Sequence, residues 1–234
     1  VREPLLAWSA GEQLDGVLHL PGPGKWPCVI AAHGLFSAKV SDKFLLLAAR
    51  LTEAGFACLR FDFRGCGQSG GQLKDTTIAG RINDLRAVLA RLRDHQALDQ
   101  RFFLVGSSLG GYVALFVAAQ APHVSALALW ATPAHTRELE GRKDTLQAHG
   151  LGAPFIRELE QGTFVEAPAG VPRTLIIHGE QDELVPCSHA QALYEQAEEP
   201  KALEILPGAD HRLTNPEDRE RAIRLTTAWF KRHL

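Results

Sequence analysis

Residues 101–121 read RFFLVGSSLGGYVALFVAAQA. The run from Arg101 to Ser107 is apolar and β-prone, and Leu109 to Ala121 is apolar and helix-prone. Between them lies Gly106-Ser107-Ser108-Leu109-Gly110, a G-x-S-x-G pattern. Chance alone would place about 0.1 such matches in a chain of this length, so the pattern is moderate evidence by itself. Its setting between strand and helix makes it strong, because a serine there must sit on a turn too tight for side chains at the flanking positions. The Ser108 hydroxyl is then expected above the C-terminal edge of a sheet, with a helix N-terminus behind it.

The same rhythm runs outward in both directions. Pro27 to His33, Phe56 to Asp62, Val124 to Ala131, Arg173 to His178 and Ala202 to Leu206 read as buried strands. Helical spacing follows Ser41, fills residues 77–94 and Ser188 to Gln196, and begins again at Asn215 with Pro216 at its first position. Leu5 to Leu20 is expected to add one or two antiparallel edge strands. The alternation predicts an α/β fold: a mostly parallel central sheet with helices on both faces, in a single domain over residues 1–234. Residues 134–172 break the rhythm and are too long for a plain loop, so they are expected to form a small helical lid.

Composition narrows the function. Of 234 residues, 45% are hydrophobic and 22% charged, and the net charge is −2, with basic residues scattered. No nucleic-acid partner is expected. No apolar run reaches the length of a membrane span, and the N-terminal residues do not resemble a signal peptide. The four cysteines, Cys28, Cys58, Cys66 and Cys187, lack close paired spacing, so neither a zinc site nor a redox motif is expected, and a reducing cytoplasm fits this usage. The ten histidines contain no HxxxH or HExxH pattern, so neither metal nor cofactor is expected. Oligomeric state is not readable.

A serine hydroxyl is a weak nucleophile without a base. Asp182 lies in the loop after RTLII, and His211 in the loop after ALEIL, so both are expected at the sheet edge that carries Ser108. Glu180, Glu183 and Asp210 compete as acids, and His178, ending a buried strand, reads as structural. An oxyanion hole needs two backbone N–H donors. Leu109, directly after the serine, is one candidate, and Leu35, in the loop after PCVIAAH, is the other.

At this point four segments resemble the α/β-hydrolase superfamily, in particular compact esterase and acyl-hydrolase types related to prolyl oligopeptidase-like and feruloyl-esterase-like groups. His33-Gly34-Leu35 is similar to the HG oxyanion motif. Residues 61–69 (FDFRGCGQS) resemble its D-x-R-G-x-G-x-S loop, 178–186 (HGEQDELVP) its acid loop, and 208–211 (GADH) its histidine loop. The resemblance implies a serine hydrolase with Ser108 as nucleophile, His211 as base and Asp182 as acid, acting on a small-molecule ester or thioester. Cys66, at the variable position of its loop, reads as a bystander. Two other readings use the same residues. An acyltransferase would pass the acyl group to an alcohol or thiol, and a non-catalytic binding protein would keep only the fold. The pocket is expected to be apolar, bounded by Phe36, Trp130, Leu184 and Val185. Leu151, Phe155, Ile156 and Phe164 of the excursion are expected to roof it, favouring short or medium acyl chains.

Overall fold

The computed structural model describes residues 1–234. Eight strands form one sheet: β1 (Arg2–Ser9), β2 (Glu12–His19), β3 (Trp26–Ala32), β4 (Ala57–Phe61), β5 (Leu98–Ser107), β6 (Val124–Trp130), β7 (Thr174–Gly179) and β8 (Lys201–Leu206), in the order β1-β2-β4-β3-β5-β6-β7-β8. β1 pairs antiparallel with β2, and β2 antiparallel with β4; every other pairing is parallel. The expected α/β class with antiparallel edge strands is therefore the fold observed. No helix is long and apolar enough to cross a membrane.

The helices are α1 (Asp42–Glu53), α2 (Ile78–Arg93), α3 (Leu109–Ala118), α4 (Arg137–Glu140), α5 (Lys143–Ala148), α6 (Ala153–Gln161), α7 (Ser188–Gln196) and α8 (Pro216–Arg232). Several ends follow from local chemistry. Thr77 accepts a hydrogen bond from the Gly80 N–H to start α2, and Asn215 accepts one from the Glu217 N–H to start α8. Ser41 stands at the start of α1 as expected, but its hydroxyl makes no capping bond.

Because successive strand side chains alternate, the sheet carries a core on each face. On one face Cys28 and Ile30 of β3, Phe102 and Leu104 of β5, and Leu127 and Leu129 of β6 pack with α2 and α3. On the other, Val29, Phe103, Val105, Ala126, Ala128 and Trp130 pack with Phe44 and Leu47 of α1 and with Ile223 and Phe230 of α8.

Residues 134–172 contain α4, α5 and α6, and they dock sideways. Leu151, Phe155 and Leu159 are buried in the α2–α3 core. The Glu158 carboxylate accepts hydrogen bonds from the Ile78 and Ala79 N–H groups at the start of α2. It thus satisfies two donors that the helix leaves open. Ile156 and Phe164 pack against the same core, so none of the four residues expected to roof the serine lines its cleft; the His149 ring lies 5.3 Å from that of Phe36.

Candidate active site

Ser108 lies between β5 and α3 with φ 55° and ψ −128°, a conformation that a side chain normally avoids. Two things hold it there. Its N–H donates to the Trp130 carbonyl at 2.8 Å, and its carbonyl accepts from the Gly111 N–H at 2.9 Å. The turn closes only because its flanks are bare. A Cβ on Gly106 would strike the Gly111 backbone, and one on Gly110 would strike the carbonyls of Ala32 and His33. The chain after β3 passes beside the elbow, where a Cβ on Gly34 would meet Ser108 Cβ at an ordinary contact distance of 3.4 Å.

β7 and β8 deliver the other two residues to the same sheet edge. His211 Nδ1 lies 2.8 Å and 3.0 Å from the two carboxylate oxygens of Asp182. An ionised carboxylate only accepts, so Nδ1 carries the proton and Nε2 keeps a free lone pair. His211 and Ser108 line one cleft, and neither Nε2 nor the Ser108 hydroxyl is tied to another protein group. In such sites the serine–imidazole bond often tightens only around substrate.

The acid loop is built around Asp182. Its buried carboxylate also accepts from the N–H groups of Leu184 (2.9 Å) and Val185 (2.8 Å). His178 Nε2 donates to the Val185 carbonyl at 2.9 Å and stands 3.2 Å from Asp182. Burial alone would raise the Asp182 pKa, but the hydrogen bonds from His178, His211 and Val185 hold it well below the ordinary carboxylate range. The competing acids are occupied elsewhere. Glu180 accepts from the Gly208 N–H, Glu183 from the His211 N–H, and Asp210 from the Thr214 N–H.

The N–H groups of Leu35 and Leu109 have no protein acceptor, and both residues border the elbow. The loop carrying Leu35 is held from behind by a network that the sequence reading missed. His33 Nε2 accepts from the Phe63 N–H at 3.1 Å, which puts the His33 proton on Nδ1, 2.8 Å from the Gly34 carbonyl. Asp62 accepts from the Lys39 backbone N–H at 2.7 Å and from Lys39 Nζ at 2.5 Å. Arg81 of α2 is completely buried, stacks on Phe63, and donates to the carbonyls of Gly34 (3.2 Å) and Leu35 (2.9 Å). The D-x-R-G-x-G-x-S loop therefore braces the Leu35 segment. Arg81 also donates to Cys66 Sγ at 3.3 Å; burial raises the Cys66 pKa, which favours the unreactive thiol.

This bracing has a measurable consequence. Arg81→Met leaves the Leu35 carbonyl without a donor, at about 1–3 kcal/mol, while the Gly34 carbonyl keeps the His33 Nδ1 proton. Each kcal/mol moves the melting point of a chain this size by roughly 2–4 °C. A fall in Tm of roughly 2–12 °C is expected, together with a lower kcat. An unchanged Tm and kcat would show that the loop holds itself.

The cleft has a volume of about 540 Å³, within the usual range for small-molecule sites. Leu35, Phe36, Val40 and Leu184 are its apolar walls; most of the remainder is polar or cationic, including Lys43, Arg212 and Arg219. Phe36 and Leu184 thus stand where expected, but two other residues do not. Trp130 is buried on the opposite face of β6, where its indole N–H donates to Thr226 of α8 at 3.0 Å. Val185 is used through its backbone in the acid loop and is not part of the cleft wall. The expected apolar pocket is accordingly a mixed one.

His135, Glu138 and His189 gather on the excursion side, with their ligand atoms within 4.8 Å of one another. His189 Nδ1 accepts from the Ala134 N–H at 3.0 Å, so its Nε2 carries the proton and points it at Glu138, 3.3 Å away. A protonated nitrogen has no lone pair for a cation, so the trio as arranged is a hydrogen-bonded cluster.

A mostly parallel sheet with a strained serine elbow, and an imidazole–carboxylate pair at the same edge, defines an α/β hydrolase. The chain belongs to the Hydrolase_4 family, described as serine aminopeptidase, S33, which it matches over residues 26–160. It is 28% identical over 186 residues to the uncharacterized protein YfhR of Escherichia coli K12, covering 78% of this chain and 62% of YfhR. It is also 28% identical over 186 residues to the human mitochondrial palmitoyl-protein thioesterase ABHD10, covering 70% of this chain and 59% of that protein. The chain therefore spans less than two thirds of these relatives. Est1E of Butyrivibrio proteoclasticus, solved with ferulic acid bound, superposes with a TM-score of 0.85 at 22% identity over 98% of both chains.

Proposed function

We propose that this protein cleaves carboxylic esters or thioesters through an acyl-enzyme formed on Ser108. The observation that carries the reading is the pairing of His211 Nδ1 with Asp182 at 2.8 Å, which leaves Nε2 free in the cleft that Ser108 lines. His211 takes the Ser108 proton as the oxygen attacks the acyl carbonyl. The N–H groups of Leu35 and Leu109 receive the oxyanion, and Asp182 stabilises the imidazolium. The proton passes to the leaving alcohol or thiol. Water, activated by the same imidazole, then releases the acid. The thioesterase ABHD10 and the ferulate-binding Est1E support an ester or thioester as the bond attacked.

Short or medium acyl chains fit best. The four apolar side chains sit at an open cleft, and the excursion that would have to line a tunnel is spent on the α2–α3 core. Each added CH₂ that finds cover should contribute at most about 0.8 kcal/mol, and the gain should stop when the cleft is full. The test is kcat/KM for p-nitrophenyl esters from acetate to palmitate, below micelle formation, beside matched thioesters and aminoacyl p-nitroanilides. A plateau or fall after the medium chains is expected. A steady rise to palmitate would overturn the chain-length reading, and preference for the anilides would point to a peptidase.

A further inference from the structure

One wall of the cleft carries an excess of positive charge that hydrolysis of a neutral ester does not need. Lys43 comes from the first turn of α1, Arg212 directly follows His211, and Arg219 comes from the start of α8. None of the three has a carboxylate oxygen within 4.0 Å. Some cations elsewhere on the surface are paired, as Arg50 is with Glu53 and Glu220, and Arg101 with Asp99, and others such as Arg91 and Arg157 stand alone; what sets these three apart is that they line one cleft. Asp42, exposed, is the one acid in the wall.

Two of the cations are held in place, and the third, Arg212, is exposed. Lys43 Nζ donates to Ser107 Oγ at 2.7 Å, one residue from Ser108. The Arg219 guanidinium is anchored by the carbonyls of Leu213 and Thr214, both at 3.2 Å. Ser41, in the same wall, has a buried hydroxyl with no partner, and it precedes a helix whose first-turn N–H groups favour negative charge. The three like charges, faced in the wall by the single carboxylate of Asp42, repel one another, and an arriving anion relieves that cost.

We propose that this wall is an anion subsite, and that the substrates carry a carboxylate or phosphate a few bonds from the carbonyl that Ser108 attacks. The proposal rests on the acyl-transfer reading above and narrows its substrate class. Burial, then Arg219 and Arg212, push Lys43 down to about 8, while Asp210 and Asp182 pull the other way. Ser107 accepts from Lys43, and Asp42 and His211 are the other titratable groups of the cleft; the charge on Lys43 is present below that pH and lost above it. KM for an anionic substrate should therefore rise as pH climbs through 8.

Two substrate pairs test the subsite and separate its sources. For a carboxylate on the acyl side, p-nitrophenyl hemisuccinate is compared with its methyl ester. For a phosphate on the leaving group, butyryl-4′-phosphopantetheine is compared with butyryl-pantetheine. The charged member of at least one pair should have kcat/KM higher by roughly tenfold or more, the scale of a charge-assisted contact. That ratio should fall toward one in Arg212→Gln and in Lys43→Met, and in wild type at high salt. Equal kcat/KM within both pairs, or ratios that survive both substitutions, would overturn the subsite. Calorimetric titration of the Ser108→Ala protein with succinate and with inorganic phosphate, before and after adding Arg212→Gln, reads the subsite without turnover. Binding lost with Arg212→Gln supports the subsite even if no ester is cleaved, an outcome that would instead sink the acyl-transfer reading. No binding and no charge preference removes the subsite while leaving hydrolysis standing.

Discussion

Ser108→Ala should abolish both ester hydrolysis and covalent labelling by a fluorophosphonate, with a loss in kcat on the order of 10⁶, the scale seen when a triad serine is removed. The backbone at Ser108 is already at φ 55°, and alanine meets the same steric demand there as serine, so the fold should persist. Circular dichroism and a melting curve provide the control. Ser107→Ala should keep labelling and measurable turnover, because Ser107 is the last residue of β5 and its hydroxyl is engaged by Lys43. A Ser108→Ala protein that labels at the wild-type rate would refute the assignment of the nucleophile.

Asp182→Asn should cost roughly 10⁴ in kcat in a protein that still folds, with a lower melting point because Nδ2 also meets the His178 Nε2–H that Oδ2 faces. The argument is one of tautomers. An asparagine can keep its Oδ1 on the N–H groups of Leu184 and Val185, which the carboxylate now satisfies. Its Nδ2 then replaces Oδ2 and donates toward His211 Nδ1, forcing the imidazole proton onto Nε2. The nitrogen that must accept the serine proton is then blocked. Glu180 and Glu183 are committed to the backbone N–H groups of Gly208 and His211 and offer no substitute. Turnover within tenfold of wild type in Asp182→Asn would mean that another acid serves the imidazole.

Much of the site was legible because its demands are local. The elbow needs bare positions at 106 and 110, and glycine stands at both. Asp182 and His211 each follow a short apolar strand, and parallel strands place such loops at one edge. Trp130 shows where this reasoning stopped. It ends β6 beside the elbow, yet it points to α8 with Ala126 and Ala128. β6 is buried on both faces, so its sequence has no alternation of polar and apolar residues from which to read the side. The excursion misled for a similar reason. Leu151 and Phe155 are as apolar as a lid would require, and only their docking beside α2 shows that they serve the core.

The order of strands and helices along the chain, the serine turn and the imidazole–carboxylate pair proposed to serve it were legible in the sequence alone. Periodicity, glycine sterics and chain order act between near neighbours and leave their mark in the string. The bracing of the Leu35 loop by Arg81, 46 residues away, and the gathering of Lys43, Arg212 and Arg219 beside Ser108 were decided by the tertiary structure. Buried hydrogen bonds and electrostatic repulsion act through space. Their partners are set by which strands the sheet makes adjacent, and no local pattern records that adjacency.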